Sequence, residues 1–152
     1  MKRIILTIIT IITVCSCNKF TMYDGPACFY FDTDKSSTTS INELGEFEAE
    51  YYVHYIGEYA SQTNTVTFSV IPGDGLHEGL DYKVNTPDGK LSFLPGFTDL
   101  AIRIKWLPNS IDKTKDNSVT INLESVDNPD AVIGLPGPAQ NNKSIKLIKY
   151  KN

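Results

Sequence analysis

Apolar and polar residues alternate with a period of two through most of this chain. Phe47, Ala49, Tyr51, Val53 and Tyr55 interleave with Glu48, Glu50, Tyr52 and His54, the pattern of a strand with one buried face. Val66, Phe68 and Val70 interleave with Thr65, Thr67 and Ser69; Leu100, Ile102, Ile104 and Trp106 with Ala101, Arg103 and Lys105; Val119, Ile121 and Leu123 with Thr120, Asn122 and Glu124. An aromatic-rich run, Ala27 to Asp32, and shorter runs at Asp81 to Val84, Leu91 to Leu94 and Ser144 to Tyr150 complete the set. Between them fall Pro72-Gly73-Asp74-Gly75, Pro87-Asp88-Gly89, Pro95-Gly96, Pro108-Asn109-Ser110 and Gly134-Leu135-Pro136-Gly137-Pro138. Glycine and proline supply turn dihedrals there and stop the strands. No stretch of ten or more residues carries helical periodicity.

Seven or eight short strands at regular spacing predict an all-β fold, a single immunoglobulin-like antiparallel β-sandwich over residues 27–152. The inward set is expected to comprise Phe29 or Tyr30, Tyr51, Val53, Phe68, Val70, Ile102, Ile104, Trp106, Ile121 and Leu123. Tyr52 and His54 share the opposite parity and are expected to face solvent or a neighbouring protein. Asp81, before a short strand, suits a turn cap, and Tyr82 suits a buried ring. Gly96 after Pro95 suits a type II turn, whose third residue needs positive φ.

The first seventeen residues break the alternation. Lys2 and Arg3 precede an unbroken apolar and threonine run, Ile4 to Val14, followed by Val14-Cys15-Ser16-Cys17. Eleven residues are too few to cross a bilayer, which takes about 20, and the layout is that of a signal peptide. Its ending resembles a bacterial lipobox. That resemblance implies a signal peptide over residues 1–16, lipidation of Cys17 by diacylglycerol and palmitate, and a lipid-anchored N-terminus, since stable anchoring takes more than one acyl chain. Residues 17–26 then read as a polar tether.

Composition narrows the function. Two of the fourteen basic residues lie in the signal segment, so the remainder carries a net charge near −6. An acidic domain of this kind is not a nucleic-acid binder, because that role needs clustered Lys and Arg against phosphates. With Cys15 removed and Cys17 lipidated, Cys28 has no partner for a disulfide. Its apolar surroundings, Ala27-Cys28-Phe29-Tyr30-Phe31, suit a buried structural thiol.

From Thr65-Val66-Thr67-Phe68-Ser69-Val70, through Gly79-Leu80-Asp81-Tyr82 and Gly89-Lys90-Leu91-Ser92-Phe93-Leu94-Pro95-Gly96, to Ala101–Trp106 and Val119-Thr120-Ile121-Asn122-Leu123, the chain resembles a Calx-beta-type domain. The likeness covers at most Phe47 to Ile148 and implies an immunoglobulin-like sandwich. The whole layout is also similar to cell-envelope lipoproteins of Gram-negative gut bacteria that accompany glycan uptake. That second likeness implies an outer-membrane location. The face is left open between periplasm and surface, with Asn18-Lys19-Phe20-Thr21 lacking the acidic run that marks surface export.

Calx-beta domains of exchangers bind Ca²⁺ through acidic loops at one end, and calcium takes six to eight oxygens. The resemblance therefore nominates Asp112 and Asp116, although Lys113 and Lys115 interrupt the loop, and Asp74, Glu78 and Asp81 form a second, looser group. Solvated loop carboxylates are the competing reading, with Asp127 and Asp130 a third pair of the same kind. His54 and His77 have no serine or cysteine motif beside them, and no G-x-S-x-G, H-E-x-x-H or C-x-x-C is present. A non-catalytic domain is expected, and a small hydrolase stands last among the alternatives. Tyr52, His54 and Tyr59 are the candidate ligand contacts. The expected function is a lipid-anchored binding or scaffolding module, with a glycan or an envelope protein as partner. The alternative is a Ca²⁺-binding domain of the same fold. No other cofactor is expected.

Overall fold

The computed structural model describes residues 23, 25–32, 38–58 and 60–151. The signal segment, lipidation at Cys17 and the contact role of Tyr59 lie outside the described residues. Among the described residues ten strands are formed: β1 (Ala27–Phe31), β2 (Thr38–Asn42), β3 (Phe47–Ile56), β4 (Asn64–Pro72), β5 (Tyr82–Val84), β6 (Lys90–Phe93), β7 (Asp99–Trp106), β8 (Ser118–Val126), β9 (Ala131–Ile133) and β10 (Ser144–Tyr150). They build two five-stranded sheets, ordered β5-β7-β3-β1-β9 and β2-β10-β8-β4-β6. No α-helix occurs among the described residues.

Each sheet buries one face against the other, so the period-two sets meet in the middle. Val53, Ile102, Ile104, Trp106, Ile121 and Phe29 are all fully buried, and each such side chain contributes about 1.5–3 kcal/mol relative to exposure. Phe29 settles the choice between the two aromatics of β1: it packs edge-on to Phe93 of the opposite sheet at 4.9 Å, while Tyr30 points outward. Trp106 lies in the core with its indole N–H donating to the Tyr51 hydroxyl at 3.0 Å, which satisfies the one polar group the ring brings with it. Tyr82 packs beside it, centroids 6.0 Å apart.

Pairing is antiparallel except at two edges, where β1 meets β9 and β10 meets β2 in parallel. Neither edge strand was read from the sequence. β2 is Thr-Thr-Ser-Ile-Asn with only Ile41 turned into the core, and β9 has three residues. All four edge strands, β5, β9, β2 and β6, are five residues or shorter. Short edges of this kind discourage the addition of a further strand.

Turns carry the expected chemistry. Phe97 N–H donates to Leu94 O at 3.0 Å across Pro95-Gly96, and Gly96 has φ 89, the geometry of a type II turn. Asp81 caps its turn, accepting from the His77 amide at 2.9 Å. Unlike a simple surface cap it is buried, and it meets Lys149 at 3.1 Å. Lys149 shares the inward parity of Ile145 and Leu147 on β10, and its ammonium also donates to Leu107 O at 2.9 Å.

The strand directions give the sandwich two distinct ends. One end holds the start of β1, the end of β3, the start of β4, the end of β6 and the turn into β7, as the pairings Cys28↔Ile56, Asn64↔Phe93 and His54↔Asp99 record. The other end holds the start of β3, the end of β7, the 73–81 and 107–117 loops and the end of β10.

Candidate functional site

The outer face of the β5-β7-β3-β1-β9 sheet is built from the residues that alternate away from the core. On β3 these are Glu48, Glu50, Tyr52 and His54, standing opposite Lys105, Arg103, Ala101 and Asp99 of β7. Half of this face is a ladder of charges. Arg103 Nε donates to Glu50 at 2.9 Å and Lys105 pairs with Glu46 at 3.0 Å. These pairs are solvent-exposed and contribute little to stability.

The other half is aromatic. Tyr52 and His54 both lie on this outer face, as their parity predicts, and Tyr30 of β1 joins them in register with His54. The Tyr30 and His54 rings are 5.8 Å apart and the His54 and Tyr52 rings 6.4 Å, at mutual tilts of 35° and 34°. Three rings thus form a continuous strip along the sheet surface, with Tyr52 about half exposed.

Carboxylates rim the strip. The Tyr52 hydroxyl donates to Glu50 at 2.6 Å, and His54 Nδ1 contacts Asp99, whose other oxygen accepts from Thr98 at 2.6 Å. The Tyr52 bond holds the Glu50 carboxyl below its usual range, reinforced by Arg103, and raises the Tyr52 phenol in turn. The Thr98 hydroxyl lowers Asp99, with His54 adding to it. Both carboxylates therefore stay ionised at neutral pH and present acceptor oxygens at the edges of an apolar strip. Tyr30 is the member that sequence reasoning left undecided. Asp32, of the same parity and exposed, was the signal that this side of β1 faces outward.

Two further aromatic side chains, Trp106 and Tyr55, lie away from the strip. Trp106 is in the core, and Tyr55 is half-buried against Phe29 at 5.0 Å, with its hydroxyl donating to Glu58 O at 2.6 Å. Cys28 is buried and free, and desolvation raises its thiol, which makes it an inert packing residue.

The acidic loop residues lie at the far end. Asp74 accepts from the Asp116 amide at 2.8 Å, and Gly75 N–H donates to Asp116 O at 3.0 Å, so Asp74 and Asp116 are brought together. Gly73 is required here because a Cβ would stand 2.2 Å from Asp116 O. Asp112 accepts from the Thr114 hydroxyl at 2.7 Å and the Thr114 amide at 2.9 Å, which lower its pKa. Glu78 is engaged separately by the Val84 amide at 3.2 Å. Among the described residues no group of three His, Cys, Asp or Glu side chains is arranged to hold a metal ion. Asn117, nine-tenths buried in this loop, donates to Asp112 O at 2.7 Å and Lys115 O at 3.0 Å, while its Oδ1 has no hydrogen-bond partner.

At the end where β1 begins, Tyr23, Ala27, Tyr55, Asn64, Asn128 and Asp130 are among the residues lining an open polar depression of about 760 Å³. Several of its polar groups are already engaged: Asn128 donates to Asn64 at 2.9 Å, Asp127 accepts from the Thr65 amide at 2.8 Å, and the Tyr23 hydroxyl donates to Pro26 O at 2.8 Å.

No protein-family model and no curated protein matches the chain. Among solved structures the chain is similar to a crystal structure of CBD12 from CALX1.2, with a TM-score of 0.59 and 18% identity. The match covers 82% of this chain and 44% of that one, so the chain spans less than half of that structure's length. At this identity the likeness is one of fold: the two sheets form a Calx-beta-like β-sandwich.

Proposed function

We propose that this protein is a non-catalytic recognition module, held to the outer membrane by lipid on Cys17, that binds a glycan on the outer face of its β5-β7-β3-β1-β9 sheet. The observation that carries the reading is the Tyr30–His54–Tyr52 strip. Flat rings offer an apolar platform for the C–H face of a sugar, and the Glu50 and Asp99 carboxylates beside them accept hydrogen bonds from its hydroxyls. A strip laid along a rigid sheet needs little ordering on binding, which conserves affinity. The test is retention of the purified protein on an immobilised glycan panel, beside Tyr52→Ala and His54→Ala variants of unchanged melting temperature. Retention lost in the variants supports the reading. Equal retention, or none by the wild type, overturns it in favour of a spacer or protein-scaffolding role.

One observation favours a second reading, a Ca²⁺-stabilised domain. The unpartnered Asn117 Oδ1 lies in the same loop as Asp116, whose amide donates to Asp74 of the neighbouring 73–81 loop, and hard oxygens of this kind are what calcium takes. Under that reading the melting temperature rises in millimolar Ca²⁺ relative to chelator, and Asp116→Ala removes the rise. No change in the wild type rejects it.

A further inference from the structure

Two large apolar side chains stand in solvent at the end of the sandwich where β1 begins. Leu94 and Phe97, the first and last residues of the type II turn between β6 and β7, are 52% and 53% exposed. Their turn adjoins the end of β3, since Tyr55 N–H donates to Thr98 O at 2.7 Å. Tyr55 in turn lines the same depression as Tyr23. Tyr23, the polar depression and the Leu94–Phe97 turn therefore share one end of the molecule.

Chain length keeps that end close to the bilayer if Cys17 carries lipid. Six peptide units separate Cys17 from Tyr23, a reach of roughly 20 Å at full extension. We infer that the Leu94–Phe97 turn is a membrane contact: its two apolar side chains enter the headgroup region of the bilayer that holds the Cys17 lipid. The inference rests on the lipid-anchor reading. Leucine and phenylalanine gain by leaving water at that depth, and the contact adds to the acyl anchor while fixing the domain upright. The same end carries Glu58, Asp99, Asp127 and Asp130, so the surface it suits is zwitterionic rather than anionic. The far end, with the 73–81 and 107–117 loops, is then held away from the bilayer, and the ring strip stands on the side.

The experiment uses the lipidated full chain reconstituted into phosphatidylcholine vesicles whose acyl chains are brominated. Phe97→Trp reports the turn, Leu80→Trp reports the far end, and wild-type emission from the buried Trp106 is the baseline. Both new indoles replace exposed side chains. The emission that Phe97→Trp adds to this baseline should be lost on brominated relative to unbrominated vesicles, with Leu80→Trp and wild type unchanged. Equal quenching of the two variants, or none in either, overturns the contact. Flotation of the same vesicles separates the two readings: protein that floats without quenching at position 97 overturns the contact alone, and protein that does not float overturns the anchor as well.

Discussion

Lys149 and Asp81 form an ion pair in the interior, Nζ to Oδ1 3.1 Å, with their side chains 0% and 2% exposed. The pair ties the last strand to the turn before β5, and Asn109 adds a hydrogen bond to the same carboxylate at 2.9 Å. Taking two charges out of water is costly, and the His77 amide, Asn109 and Leu107 O offset that cost by hydrogen-bonding the two groups. Lys149→Met leaves a buried carboxylate without its counter-charge and should cost about 3–5 kcal/mol in urea denaturation. The double variant Asp81→Leu/Lys149→Met should lose less than the sum of the singles. Strict additivity would show that the two groups do not interact.

The same carboxylate sets an acid response. Burial raises the Asp81 pKa, but the His77 amide, Asn109 and Lys149 together outweigh it and hold the group below its usual value. A carboxyl depressed on folding contributes stability that is complete above its unfolded pKa of about 3.9 and is lost as pH falls through the folded value. Wild-type denaturation midpoints should therefore fall more steeply below about pH 4 than those of Asp81→Asn. Parallel curves would contradict the assignment.

The core was largely legible in advance, and its weak points follow from it. Ile104, fully buried on β7, should lose about 2–5 kcal/mol on replacement by Ala. Ile104→Asp should yield no folded protein, as an unpaired core charge exceeds the stability of a domain this size. A folded Ile104→Asp variant by circular dichroism would contradict the register of β7.

Gly96 is predicted to resist substitution for a backbone reason. Its φ of 89 is disfavoured for residues with a Cβ, so Gly96→Ala should cost about 1–2 kcal/mol. Equal stability of the variant would show that the turn has a different geometry.

Strands with strict alternation announced themselves: β3, β7 and β8 match their sequence runs to within a residue or two, and β10 matches Ser144 to Tyr150 outright. β2 did not, because one isoleucine among polar residues carries no period, and three residues are too few for β9 to carry one. Lys149 hid for a different reason. A lysine at inward parity reads as solvated until its partner is known, and Asp81 lies 68 positions away. The candidate site was half legible. Parity put Tyr52 and His54 outside the core, whereas Tyr30 and Asp99 join them only through pairing of β1 and β7 with β3, a tertiary fact that alternation does not encode.

Anchoring is tested in the cell. Cys17→Ser should release the protein to the soluble fraction or leave an uncleaved precursor, with loss of palmitate labelling. Labelling that persists in the variant would contradict lipidation at Cys17.

The most direct measurement of the recognition reading is a map of where a glycan touches. An oligosaccharide retained by the panel is titrated into isotope-labelled protein, and the ring resonances of Tyr30, Tyr52 and His54 are followed by NMR. Saturable shifts at those rings and at the Glu50 and Asp99 positions, with Asp112–Asn117 unmoved, are the predicted result. Shifts confined to Asp112–Asn117 or to any surface other than the ring strip would contradict it.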